Sequence, residues 1–144
     1  KAGTYFEQAY TAVNGVVDAV LAPNDNNAAA IITILDKNGV TAVISGQDAS
    51  LAGLQNVLLG KQTATVYKPF KVEAAVASEL AIALLKGETP TAPATLEDGT
   101  PFFASEPILV TADKVQQVVD AVDIKASELC AGDVAAACEK YGVK

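Results

Sequence analysis

Apolar positions along this chain switch repeatedly between two spacings. Phe6, Ala9, Tyr10 and Val13 recur at i, i+3, i+4 and i+7, the period of one helix face, and Asn14-Gly15 ends the pattern. The run Val16-Val17-Asp18-Ala19-Val20-Leu21-Ala22 is short and nearly all apolar, and it stops at Pro23-Asn24-Asp25, which predicts a buried strand. Ala28, Ile31, Ile32 and Leu35 restore the helical period, with Asn38-Gly39 where a C-cap belongs. The unit then recurs. Thr41-Ala42-Val43-Ile44 is strand-like and ends at Ser45-Gly46-Gln47-Asp48. A helix through Leu51, Leu54 and Leu58 is stopped by Gly60, and the β-branched stretch Thr63-Ala64-Thr65-Val66-Tyr67 ends at Lys68-Pro69.

A longer helix is predicted over about 71–86, with Val72, Val76, Leu80 and Leu84 along one side. Alanines and Ile82 carry its apolar surface nearly all round, so burial on more than one face is expected. Residues 87–107 hold Gly87, Pro90, Pro93, Pro101 and Asp98-Gly99, the signals of a connector with a tight turn. Thr111 is placed to cap a last amphipathic helix through Val115, Val118, Val119 and Val122, and Asp133 to cap a short helix in the tail. Alternating strands and helices at this spacing predict right-handed βαβ units, hence an α/β fold of three layers (α/β/α) around a parallel sheet.

Composition narrows the chemistry. The 144 residues are 51% hydrophobic, enough for a real core but too few for two lobes closing on a ligand. Histidine, arginine, methionine and tryptophan are all missing. Without His in the chain, Ser-His-Asp and Cys-His catalytic groupings and helix-borne zinc sites cannot form. Without Arg, bidentate clamping of phosphate is lost. Ten lysines against 17 acids leave a net charge of -7, which repels a nucleic-acid backbone. Cys130 and Cys138 lie eight positions apart. They lack the further ligands a metal needs and the Cys-x-x-Cys spacing of a redox pair. Two buried thiols are one reading; a local disulfide pinning the last helix is the preferred one, and it implies an exported protein. No cofactor loop is present, and no catalytic residue or metal ligand is assigned.

In open parallel sheets, ligands bind just beyond the carboxyl ends of the strands. Here those ends carry Asn24-Asp25, Gln47-Asp48 and Lys68. A carboxylate accepts from two adjacent hydroxyls, an ammonium donates to ring or hydroxyl oxygens, and an amide does both, a set suited to a polyol. Each residue also has a structural use. Asn24 or Asp25 suits the N-cap of the following helix, Asp48 suits the next one with Ser50 as the other choice, and Lys68 suits plain solvation.

Three stretches, Val17-Asp18-Ala19-Val20-Leu21-Ala22-Pro23-Asn24-Asp25, Ile44-Ser45-Gly46-Gln47-Asp48-Ala49 and Gly60-Lys61-Gln62-Thr63-Ala64-Thr65-Val66-Tyr67-Lys68-Pro69, resemble the C-terminal part of periplasmic xylose-binding proteins. These belong to the ribose- and galactose-binding type I receptors of ABC importers. The similarity is densest over 17–86 and looser to about 122; the Cys-bearing tail departs from it. The resemblance implies that Asn24, Asp48 and Lys68 contact a monosaccharide, xylose or a similar aldose, with Asp25 and Gln47 orienting them from behind. Tyr67, inside a strand, is expected in the core rather than under a sugar ring.

The resemblance further implies a partial lobe, strands 3-4-5 of a 2-1-3-4-5 sheet. Residues 1–69 would form the lobe core, 70–106 a helix and connector that pack on a missing lobe, and 107–144 a return segment with the Cys-bearing tail. The implied partners are the sugar and an ABC permease, with no nucleic acid. Self-association through the open edge of the Val16–Ala22 strand is a further expectation. The implied location is outside the cytoplasm, periplasmic or as a cell-surface lipoprotein whose anchor is not in this chain. The effector-binding core of a LacI-type transcription regulator is the alternative of the same fold, and an enzyme is disfavoured because no nucleophile accompanies Asp48 and Lys68.

Overall fold

A computed structural model describes residues 1–121 and 124–144. It divides into two compact units, Lys1–Tyr67 with Ile108–Lys144, and Lys68–Pro107.

The first unit opens with α1 (Ala2–Ala12), which ends as Asn14 and Gly15 take left-handed backbone at φ 54° and 75°. β1 (Ala19–Val20) pairs in parallel with β2 (Val43–Ile44), and α2 (Asp25–Lys37) makes the crossover between them. The apolar run around β1 is seven residues long in sequence, yet only two join the ladder. Leu21 is 92% exposed and Val16 70%. The buried side of this layer is Ala22, Ala28, Ile31, Ile32, Leu35 and Ile44, the periodic positions of α2 against the two strands, with Phe6 and Tyr10 of α1 packed on them.

α3 (Leu51–Leu58) leads to β3 (Thr65–Tyr67). The expectation of a third parallel strand is corrected at the level of pairing: β3 forms its ladder antiparallel with β6 (Ile108–Val110). Before β3 begins, Thr63 meets the end of β2 twice: its backbone N–H donates to Ile44 O at 2.9 Å and its hydroxyl accepts from Ile44 N at 3.0 Å. β6 escaped the sequence reading because three residues carry too little periodicity to show.

The chain closes with α5 (Val115–Ala121), α6 (Ala126–Leu129) and α7 (Ala135–Tyr141). A second core forms here from Leu54, Val57, Leu58, Tyr67, Val110, Val115, Val118, Leu129 and Cys138. Tyr67 is therefore a core residue, as expected. Both predicted caps in this region are corrected. Thr111 precedes a 3-10 turn, Ala112–Lys114, and its hydroxyl donates to Asp113 Oδ1 at 2.6 Å instead of accepting a backbone N–H. That bond holds the Asp113 carboxyl below the usual carboxylate range. Asp133 sits inside the 3-10 turn Gly132–Val134, and α7 begins after Val134 with no side-chain cap. Val122 lies outside the described residues.

Cys130 and Cys138 are joined in a disulfide. It links the end of α6 to the middle of α7, with Cys138 buried in the second core. Closing so short a loop limits the unfolded chain and contributes about 2–3 kcal/mol. Urea unfolding of the Cys130→Ala/Cys138→Ala variant is expected to show that loss, and reductant should produce no further change in the variant.

The second unit holds α4 (Phe70–Leu85) and a hairpin of β4 (Ala94–Thr95) and β5 (Pro101–Phe102). The connector read from sequence thus contains a small antiparallel pair. Its turn is closed by Leu96 N to Thr100 O at 2.9 Å and by Thr100 N to Asp98 Oδ1 at 2.9 Å, with Gly99 at φ 86°. The expected burial of the long helix on several faces is not found: no residue of α4 is buried. Val72, Val76, Ala77 and Leu80 face Leu96 and Phe102–Phe103 across a groove of about 530 Å³. Ile82, Leu84 and Leu85 remain more than half exposed. Their apolar character is the reason sequence alone pointed to burial.

Candidate functional site

Two chain segments leave the parallel strands β1 and β2 at their carboxyl ends, the rim where ligands bind in sheets of this type. After β1, Pro23 leads to Asn24. Asn24 has extended backbone (φ -158°) and its Oδ1 accepts from Asn27 N at 3.0 Å, so it is the N-cap of α2. Of the two sequence alternatives for this cap, Asn24 and not Asp25 takes the role. The rest of its amide is half-buried at the rim. After β2, Ser50 caps α3, its Oγ accepting from Gly53 N at 3.0 Å. Asp48 is therefore not the cap. It is exposed at the rim.

Asp48 and Ala49 carry backbone that L-residues seldom adopt, with φ at 97° and 48°. Each such residue costs on the order of 1–3 kcal/mol and persists only when its surroundings over-determine it. Here three successive amides are held. Asp48 N donates to Val66 O at 2.8 Å, Ala49 N to Thr65 Oγ1 at 3.2 Å and Ser50 N to Asp25 Oδ2 at 2.8 Å. The loop is also tied to the first one, since Asp25 N donates to Gln47 O at 2.9 Å and Ser45 Oγ to Ala22 O at 3.0 Å.

Asp25 is the hub. It is 2% exposed, and its Oδ1 accepts from Thr65 Oγ1 at 2.7 Å and from Gln62 Nε2 at 2.9 Å, while Oδ2 takes the Ser50 amide. Three donors, none a formal cation, satisfy this buried carboxylate, and its place in the first turn of α2 adds the favourable end of the helix dipole. Two glycines make room. A Cβ on Gly46 would fall onto Gln62 Nε2 and Asp25 Oδ1, and one on Gly53 onto Asp25 Oδ2 and Cγ. Gln62, Thr65, Gly46 and Gly53 were not singled out in the sequence. The one available signal was Gly53, a glycine inside a helical pattern of leucines, which often marks a close approach.

Lys68 directly follows β3, is exposed, and is the first residue of the second unit. Within the first unit, the fold therefore brings the Asn24 and Asp48 loops together through Gln47 and Asp25. The set offers an amide and a carboxylate at the rim, chemistry suited to hydroxyl groups.

Comparison with known proteins adds to this geometry. Residues 1–89 match the family described as "Periplasmic binding protein domain". The D-xylose-binding periplasmic protein of Escherichia coli is 41% identical over 118 residues, covering 78% of this chain and 36% of that protein. Its counterpart in Haemophilus influenzae is 40% identical over 124 residues, covering 83% and 37%. A carbohydrate-transporter solute-binding protein of Chloroflexus aurantiacus, solved with D-glucose, superimposes with a TM-score of 0.78 at 31% identity over 88% of this chain and 40% of that one. The chain thus spans little more than a third of the length of the curated relatives.

Proposed function

The chain belongs to the periplasmic binding protein family, and from that premise we propose that it supplies one side of the sugar site in the solute-binding component of an ABC importer. Asn24, Asp48 and Lys68 are the sugar-contacting residues in this reading, with Asp25 and Gln47 behind them. The observation that carries it is Asp48 held out at the rim by strained, triply anchored backbone, the arrangement expected where a side chain must be presented to a ligand. The two curated relatives are named for D-xylose, so an aldose, D-xylose first, is the proposed ligand and the ABC permease the proposed partner. Residues 70–106 and chain beyond these 144 residues complete the receptor in this reading.

The disulfide fits an oxidising compartment, and the relatives are periplasmic, so the proposed location is outside the cytoplasm. It also counts against the cytosolic regulator of the same fold. Isothermal titration of D-xylose, D-glucose and myo-inositol into the gene product that carries this chain tests the reading. Saturable binding of an aldose is the expected result. Heat from none of the three would sink it.

A further inference from the structure

Thr65 has no counterpart among the rim residues, yet it is fully buried and holds both sides of the Asp48 loop. Its hydroxyl donates to Asp25 Oδ1 at 2.7 Å and accepts from Ala49 N at 3.2 Å, the amide next to Asp48. One residue on, Val66 O takes the amide of Asp48 itself at 2.8 Å. Asp25 in turn holds Ser50 N at 2.8 Å, and Gln62 Nε2, bonded to Asp25 Oδ1 at 2.9 Å and Ala64 O at 3.0 Å, fixes the carboxylate from the other side. The chain of contacts runs from the start of α2, through the interior, to three consecutive backbone amides of the loop after β2.

We infer that Thr65 is a positioning residue for sugar binding: with Asp25 it clamps the left-handed backbone at Asp48–Ala49 and so sets where the Asp48 carboxylate stands. This deepens the sugar-receptor reading and rests on it. The hydroxyl is the only group of Thr65 that can do this, because it must donate and accept at once. Valine, of nearly the same shape, keeps the packing and loses both bonds. Serine keeps both bonds and loses only a methyl group. Without the clamp, Asp48 and Ala49 relax toward negative φ, which swings the carboxylate away from its place at the rim.

The test is a double-mutant cycle on the gene product that carries this chain, with aldose affinity measured well below each variant's melting temperature. Thr65→Val is expected to weaken binding at least 10-fold, and Thr65→Ser by less than about 3-fold. In an Asp48→Ala background, Thr65→Val should change affinity less than about 2-fold, because the group it positions is already gone. A Thr65→Val protein of lower melting temperature but unchanged affinity would overturn the inference, as would an equal loss in both backgrounds. Hydrogen exchange of the Ala49 and Ser50 amides reads the clamp without any sugar. Faster exchange at both in Thr65→Val supports it, and unchanged exchange overturns it. An unmodified protein that binds no aldose overturns the sugar reading, and with it the clamp's purpose, whereas exchange still reports whether the clamp exists.

Discussion

Gly53→Ala is expected to destabilise the chain by at least about 3 kcal/mol, against the direction that helix propensity alone dictates. Alanine is favoured over glycine by about 1 kcal/mol inside a helix, and Gly53 lies within the eight-residue α3. The new methyl group, however, has no space: it falls onto the carboxylate and Cβ of Asp25. Asp25 cannot retreat cheaply, because Ser50 N, Thr65 Oγ1 and Gln62 Nε2 all depend on it. Each hydrogen bond to a charged group contributes about 1.5–3 kcal/mol, and its loss strands a buried donor. Asp25→Ala is expected to be comparably damaging for the same reason. The two changes overlap in cause, so the double variant should be less destabilised than the sum of the two. Urea unfolding of the 144-residue chain followed by circular dichroism measures all three. A Gly53→Ala chain as stable as its parent would show that the carboxylate does not occupy the cleft between α2 and α3.

Asp48→Gly is expected to separate stability from binding. Glycine adopts φ 97° without the steric penalty that aspartate bears there. The variant should therefore unfold at the same urea concentration as its parent or a higher one. In the proposed site the carboxylate would accept from two sugar hydroxyls, so losing those two charge-assisted bonds should cost at least about 3 kcal/mol of binding, on the order of 150-fold or more in affinity. Titration calorimetry beside thermal melting on the whole gene product reads both quantities. A variant that binds aldose as well as its parent would remove Asp48 from the site. The expected pattern, sturdier but weaker-binding, is the usual signature of a residue retained for function against local strain.

The helices α1, α2 and α3 were legible because their apolar stripes are strong and their stops carry Asn-Gly or Gly, whereas the four-residue α6 was not foreseen. The strands were legible as locations but not as lengths. A run such as Val16–Ala22 looks like seven strand residues, yet hydrogen bonding engages only Ala19 and Val20. β6 and the β4–β5 hairpin are too short to leave a period-2 trace. The rim residues Asn24 and Asp48 could be picked out because strand ends are visible in sequence. For Asp25 the sequence left a cap and a place behind the rim both open, since an acidic residue at a helix start looks like a cap whatever lies behind it; the cap belongs to Asn24. The Asp25 partners Gln62 and Thr65 are 37 and 40 positions away, and no local pattern signals such a pairing. Likewise, α4 announces burial by composition while every one of its residues is at least partly exposed, because periodicity reports what a helix can cover and not what covers it.

The neighbouring residues Asn24 and Asp25 divide their labour in a way that bears on how the proposed sugar site could be re-engineered. The interior carboxylate ties the two loops together, while Asn24 caps α2 and Asp48 holds left-handed backbone at the rim. A library aimed at new ligand preferences should therefore draw position 48 from Asp, Asn and Gly, which tolerate its φ of 97°, and limit position 24 to Asn, Asp, Ser or Thr, the residues able to cap α2. Positions 25, 46, 53, 62 and 65 should be frozen as one block. Across natural variants, those five are expected to change together or not at all, because each supplies, contacts or makes room for the same buried carboxylate.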